Sequence, residues 1–303
     1  MGPLEPEVRA EAAALAERVK QFDGVEAISE APRLALAAGA PGVRHFLAWR
    51  GSRLAGYAQM EAASPSAELA VHPEARRIGV AAALVGALVS EDPGLRLWAH
   101  GDLGPSRRVA AALGLAPLRE LWEMTVGRGT PTDAPHQAPP SAPPGRTASF
   151  CVRPFEVARD RQAWVELNAL AFADHPEQGQ LTLADLDRRI ARKWFDPAGL
   201  LLAEPRPVDD AAPAPPSPAL VGYVWTKIEA GVGEIYAIGI HPSEQGKRLG
   251  TYLLEVALGH LERQGVAEVR LFVEADNAPA VAAYRRQGFK LTRRDIQYGF
   301  ARG

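Results

Sequence analysis

The stretch Gly233–Gly250, GEIYAIGIHPSEQGKRLG, decides the fold. Its first part, Ile235-Tyr236-Ala237-Ile238-Gly239-Ile240, is an apolar run with β-branched residues, bounded by Gly233 and by His241-Pro242, and reads as a buried strand. Its second part, Gln245-Gly246-Lys247-Arg248-Leu249-Gly250, leads into Thr251–Leu258, whose apolar residues fall at helical spacing. A helix N-terminus carries unpaired backbone N–H groups and a partial positive charge, so a Gly-rich turn there can hold a pyrophosphate.

Working outward, Val269–Glu274 reads as a further strand and Asn277–Phe289 as a short helix ending at Gly288. The same plan occurs earlier in the chain. Glu68-Leu69-Ala70-Val71-His72-Pro73 precedes Arg76-Arg77-Ile78-Gly79-Val80-Ala81, an apolar helix at Ala82–Val89, a strand at Leu95–Ala99 and a helix at Pro105–Leu113. Aligning the two His-Pro pairs makes an internal repeat and implies two tandem domains. Strand, Q-x-x-x-x-G turn, helix, strand, N-x-x-A-V-x-x-Y helix and Gly-Phe, in that order, resemble a GNAT-type acetyl-CoA-dependent N-acetyltransferase. The resemblance implies an α/β fold, layered in the α+β manner, of two tandem GNAT domains. Each has a mixed, largely antiparallel central sheet flanked by helices.

Length and composition agree. The 303 residues suffice for two domains with a core each, and 34 basic against 36 acidic residues leave a net charge of −2, with no global field for nucleic acid or an acidic membrane. A small-molecule partner and a monomer are expected. The single cysteine, Cys151, excludes an intramolecular disulfide framework and points to a reducing compartment. The N-terminus is charged and amphipathic, and no apolar run reaches the ~18 residues of a membrane span, so a cytoplasmic protein is expected. Six prolines between Gly127 and Ala148 mark a linker, dividing the chain into 1–127, 128–149 and 150–303. Pro205–Ala219 reads as a long Pro- and Ala-rich loop, and Leu121–Val126 and Ile296–Phe300 as the last strands of the two domains.

The repeats differ in their chemistry. Glu234, Asn277 and Tyr284 in the second align with Pro65, Leu103 and Ala110 in the first, so the second is expected to be catalytic. Acetylating an amine requires a rigidly held thioester, a neutral amine and a route for protons and thiolate. Glu234, at the strand start, is a candidate acceptor of the ammonium proton, and its plain alternative is a solvated strand-end carboxylate. Tyr284 lies two helical turns from Asn277 and is a candidate proton donor to the thiolate, or else a tyrosine packing its helix. No metal-ligand spacing is present, and none is expected.

HPEQG before Trp194-Phe195-Asp196-Pro197-Ala198-Gly199-Leu200, then GYVWTK, GEIYAIGIHP and FVEADNAPAVAAYRRQGF, look like the tandem-GNAT family of mycothiol synthases. The resemblance implies acetyl transfer from acetyl-CoA to the cysteinyl amine of desacetylmycothiol. Residue by residue it implies substrate contacts at Glu30, Glu177, Lys227 and Glu234, and at Phe272, where an aromatic hydroxyl expected in the family is missing. It implies coenzyme contacts at Ile238, Gly239 and Ile240; at Gln245, Gly246, Lys247, Arg248, Leu249, Gly250 and Thr251; and at Asn277, Ala278, Pro279, Ala280, Val281 and Ala282. A second, non-catalytic coenzyme site would use Leu69, Ala70 and Val71 with Arg76, Arg77, Ile78, Gly79, Val80 and Ala81. Arg248 replaces the turn's usual first glycine, and only a backbone N–H in helical geometry is expected from it. The alternatives are acetylation of another small amine or of a protein N-terminus, and a non-enzymatic acetyl-CoA-binding module.

Overall fold

The Gly233–Gly250 stretch forms the strand, turn and helix read from it. The structure, a computed structural model, describes residues 4–61, 65–127, 150–173, 175, 178–205 and 220–300. The Pro-rich segment at 128–149, most of the Pro- and Ala-rich loop and Glu177 lie outside the described residues.

In chain order the elements are α1 (Pro6–Asp23), α2 (Glu30–Ala38), β1 (Val43–Arg50), β2 (Arg53–Glu61), β3 (Ser66–Val71), α3 (Val80–Glu91), β4 (Arg96–Ala99), α4 (Gly104–Ala112) and β5 (Leu115–Gly127). There follow β6 (Phe150–Pro154), α5 (Val157–Ala171), α6 (Leu183–Ile190), β7 (Leu200–Pro205), β8 (Gly222–Glu229), β9 (Val232–Ile240), α7 (Leu249–Arg263), β10 (Glu268–Glu274), α8 (Ala278–Arg286) and β11 (Lys290–Phe300). Contacts divide the chain into two compact units. One holds Met1–Glu123, Glu274–Ala278 and Thr292–Gly303; the other holds Met124–Val273 and Pro279–Leu291.

In the first unit β1, β2 and β3 pair antiparallel in sequence, β3 pairs β4 in parallel, and β4 pairs antiparallel with β11. β11 begins at Lys290, six residues before the strand expected from the apolar run at Ile296. Its charged start, Lys290–Asp295, is carried by ion pairs: Arg293 to Glu123 at 2.9 Å and Arg294 to Glu120 at 3.3 Å. Asp295, buried, accepts from the Gly101 N–H at 2.7 Å and meets His100 Nδ1 at 2.9 Å. The other ring nitrogen of His100 lies 3.1 Å from Glu68, which also accepts from the backbone and hydroxyl of Ser29, just before α2. Apolar residues of α3, such as Leu84, Val85 and Leu88, close one core cluster against β2 and β3, and α1 closes another through Ala12, Leu15, Ala16 and Val19.

In the second unit β6, β7, β8 and β9 pair antiparallel in sequence, and β9 pairs β10 in parallel. The core is aromatic. Trp225 meets Trp164, Trp194, Phe195 and Tyr236 with ring centroids 5.2–5.9 Å apart. This gives the WFDPAGL sequence its physical reason. Trp194 and Phe195 fill the cluster, Asp196 accepts from the Ala198 N–H at 2.9 Å, and the Gly199 carbonyl accepts from the Thr226 hydroxyl at 2.9 Å.

Candidate active site

Each unit contains a wedge between two parallel strands. β3 and β4 pair at Ser66–Arg96 and Ala67–Leu97, after which β3 runs on to Val71. β9 and β10 pair from Val232–Glu268 to Ile235–Leu271, after which β9 runs on to Ile240. The backbone edge of Ile238-Gly239-Ile240 that faces away from β8 therefore pairs no further with β10, and an extended amide-bearing arm can add to such an edge as a strand does. A bulge sits at the mouth of the second wedge: Trp225 opposes Ala237 and Thr226 opposes Ile235, so Tyr236 is the extra residue.

The turn after each wedge is built twice from the same parts. His72 Nδ1 accepts from the Glu74 N–H and His241 Nδ1 from the Ser243 N–H, both at 3.2 Å, which explains the repeated His-Pro. Arg76 Nε donates to the Val71 carbonyl and Gln245 Nε2 to the Ile240 carbonyl, both at 3.3 Å, tying each turn to its strand end. Two residues in each turn are left-handed: Arg77 (φ 64°) and Gly79 (φ 90°) in the first, Gly246 (φ 73°) and Arg248 (φ 65°) in the second. Glycine and arginine have exchanged places. Arg248 is therefore not in the helical geometry expected of it; it is the N-cap of α7 in the conformation that favours glycine, and the turn retains its shape. The helix behind it opens with Leu249, Gly250 and Thr251, and Lys247 pairs with Glu244 at 3.0 Å.

In the first unit Leu69, Ala70, Val71, Arg76, Arg77, Gly79, Val80 and Ala81 line one cavity of about 450 Å³. Ile78 does not line it and is exposed. Leu103 and Ala110, at the positions of Asn277 and Tyr284, line its inner wall with Leu97, Leu113 and Leu115. Arg76 is committed to a two-point pair with Asp23, at 2.9 and 2.7 Å.

In the second unit the polar candidates collect across β8, β9 and β10. Glu234, 7% exposed, is the register partner of Lys227 on β8 and of Arg270 on β10. Arg270 Nε and Nη2 each lie 2.9 Å from Glu234 Oε2, and the guanidinium stands over the Phe272 ring, 5.9 Å from its centroid. Lys227, 4% exposed, lies over Trp194 at 4.9 Å and Tyr236 at 5.8 Å and meets a Glu229 oxygen at 3.1 Å. Tyr236 accepts from Arg189 Nε at 3.0 Å. Burial pushes the Tyr284 hydroxyl up to about 12, so it stays protonated at neutral pH. Asn277 precedes α8, with its N–H on the Glu274 carbonyl at 3.0 Å, and Ala278, Pro279, Ala280, Val281 and Ala282 form the first turns of that helix. Glu30 is the first residue of α2 in the other unit and is half-buried. His175 Nδ1 accepts from the Gln178 N–H at 2.9 Å, a contact within its own loop.

Sequence reasoning missed Arg270, Trp194 and Tyr236. The alternation Val269, Leu271, Val273 buried and Arg270, Phe272, Glu274 on the other face of β10 is the signal that would have found Arg270.

Residues 164–289 match the profile of the acetyltransferase (GNAT) family. Over 286 residues the chain is 41% identical to the mycothiol acetyltransferase of Kytococcus sedentarius, covering 94% of this chain and 91% of that one. The mycothiol acetyltransferase of Streptomyces avermitilis is 43% identical over 293 residues, 94% of this chain and 89% of that one. The chain belongs to the mycothiol acetyltransferase family. Its fold is that of solved tandem GNAT proteins: one from the clavulanic acid biosynthesis pathway matches with a TM-score of 0.64 and 17% identity, over 98% of this chain and 96% of that one. A GCN5-related N-acetyltransferase from Sphaerobacter thermophilus matches at 0.65 and 23%, over 98% and 93%. Like its family, the chain is an acyltransferase that uses acetyl-CoA. Among the described residues no group of acidic, His and Cys side chains is arranged to hold a metal, and no helix is long and apolar enough to cross a membrane.

Proposed function

We propose that this chain transfers the acetyl group of acetyl-CoA to the cysteinyl amine of desacetylmycothiol, completing mycothiol, and that the chemistry resides in the second repeat. The observation that carries the reading is the identity of 41–43% with mycothiol acetyltransferases along 94% of the chain. The amine nitrogen attacks the thioester carbon, the C–S bond breaks and coenzyme A leaves as a thiolate. Glu234 takes the proton the ammonium must lose before attack, directly or through water; Tyr284 protonates the thiolate and is restored by the second proton, which the nitrogen sheds as the amide forms. Lys227, Glu30 and Glu177 are assigned to the acceptor by the resemblance.

The wedge beyond Ile235–Leu271 supports pantetheine binding along Ile238-Gly239-Ile240, with the pyrophosphate at the Gln245–Thr251 turn. The first unit's cavity, apolar where the second repeat has Asn277 and Tyr284, supports a bound coenzyme without turnover. We further propose a functional division near the Pro-rich segment, action as a monomer and a cytoplasmic location. Glu234→Gln tests the assignment: thiol release from acetyl-CoA in the presence of desacetylmycothiol should fall by about 10²–10⁴ in kcat, with KM for acetyl-CoA kept within a few-fold. Unchanged turnover at pH 7 would remove Glu234 from the mechanism.

A further inference from the structure

We infer that Arg270 is the positioning residue of the reaction, fixing both the orientation and the charge of the Glu234 carboxylate. The inference rests on Glu234 being the proton acceptor. The parallel register puts Arg270 directly opposite Glu234 on the neighbouring strand, so the pairing is set by the backbone and not by a chance meeting of long side chains. Both guanidinium contacts converge on Oε2 at 2.9 Å, which pins that oxygen of the carboxylate. Phe272, two residues along the same face of β10, backs the guanidinium. Exposure is uneven: the Arg270 side chain is 34% exposed, whereas that of Glu234 is 9% exposed. The carboxylate thus loses its water on folding while the arginine retains some, and the ion pair compensates the buried charge.

A base for an ammonium has to be ionised before the substrate arrives, and a cation within hydrogen-bond distance favours the ionised form. Among the described residues, the charged or titratable groups near Glu234 besides Arg270 include Lys227 and Glu229 from β8, which lie 3.1 Å apart, and Tyr236 from its own strand. The contact of Arg270 with Glu234 is direct. Arginine supplies a rigid two-point fork and lysine a single charge, so exchanging them separates orientation from charge.

The test is the pH profile of kcat/KM for acetylation of desacetylmycothiol by the full chain and by Arg270→Gln, Arg270→Lys, Glu234→Gln and Glu234→Gln/Arg270→Gln. Arg270→Gln should lose about tenfold in kcat and shift its acid limb upward by up to roughly one pH unit. Arg270→Lys should keep the acid limb and lose only a few-fold. The double variant should be no slower than Glu234→Gln, because Arg270 acts through the carboxylate. If Glu234→Gln is impaired while Arg270→Gln keeps the rate and acid limb of the unaltered chain, the inference fails and the base assignment stands. If Glu234→Gln is fully active, the base assignment fails and this inference goes with it. Should Arg270→Gln not fold, Arg270→Lys decides: an acid limb raised as far as a neutral side chain would raise it contradicts the charge role.

Discussion

His100 places an imidazole between two carboxylates in the interior of the first unit. Burial works against its charge, but Glu68 and Asp295 outweigh that and push it up to about 10. Burial would raise the Asp295 carboxyl, and the pairing with His100, together with Arg293 and the Gly101 N–H, holds it below the usual range instead. The signs follow from linkage. A histidine raised from an unfolded value near 6.5 contributes stability that is full below about pH 6.5 and is lost as pH rises toward 10, while Asp295 contributes above about pH 4 and is lost in acid. His100→Gln should therefore cost about 3 kcal/mol at pH 6, where a buried pair is broken, and noticeably less at pH 9.5. Urea midpoints at the two pH values measure this. An equal loss at both would mean that His100 is neutral in the fold. The turn arginines give a second lesson at this scale. Arg77 and Arg248 each occupy a left-handed position beside a glycine that occupies the other, so the departure from the usual glycine pattern preserves the backbone and changes only where the cost of about 1–2 kcal/mol falls.

The strand–turn–helix unit was the most legible part of the molecule. Apolar runs bounded by Pro and Gly located β9, β3 and α3 to within two or three residues and the start of α7 to within two, because burial and backbone breaking are written locally; α7 runs five residues past Leu258. The start of β11 was not, since Lys290–Asp295 has no apolar run and is held by partners more than a hundred residues away in sequence. Arg270 was missed for the same reason: its meaning depends on which strand lies beside it. Gly239 shows two demands meeting in one element. It is a coenzyme contact by resemblance, yet packing alone requires it, because a Cβ there would lie 2.3 Å from the Tyr223 ring. That ring is fully buried and its hydroxyl donates to Asn168 at 2.7 Å. Gly239→Ala should therefore destabilise the chain by about 1–3 kcal/mol in denaturant melts without any ligand present. A stability within 0.3 kcal/mol of the unaltered chain would leave coenzyme approach as the only reason for the glycine, using the ~0.5 kcal/mol scatter of benign substitutions as the yardstick.

At the scale of the whole chain, the compact units do not follow sequence halves. Thr292–Gly303 belongs with the first unit, where β11 pairs β4 from Ile296–Ala99 to Gly299–Arg96 and supplies the Asp295 partner of His100. A stop codon after Leu291 should accordingly remove protection from exchange at the amides of β4 and expose residues 66–99 to protease, a hundred and ninety or more positions from the cut. Protection confined to loss near residue 290 would contradict that assignment. A fragment starting at residue 150 would leave β11 without β4, so activity is best measured on the full chain. The central claim is the identity of the acceptor, and it rests on the 41–43% identity with mycothiol acetyltransferases along 94% of the chain. The most direct measurement is acetyl-CoA-dependent thiol release, compared as kcat/KM, with desacetylmycothiol against free cysteine, a glucosaminyl amine and a peptide N-terminus. The account predicts that desacetylmycothiol exceeds each of them by at least about a hundredfold, since its buried polar contacts would otherwise go unmet. A peptide or simple amine turned over as well as desacetylmycothiol would contradict it.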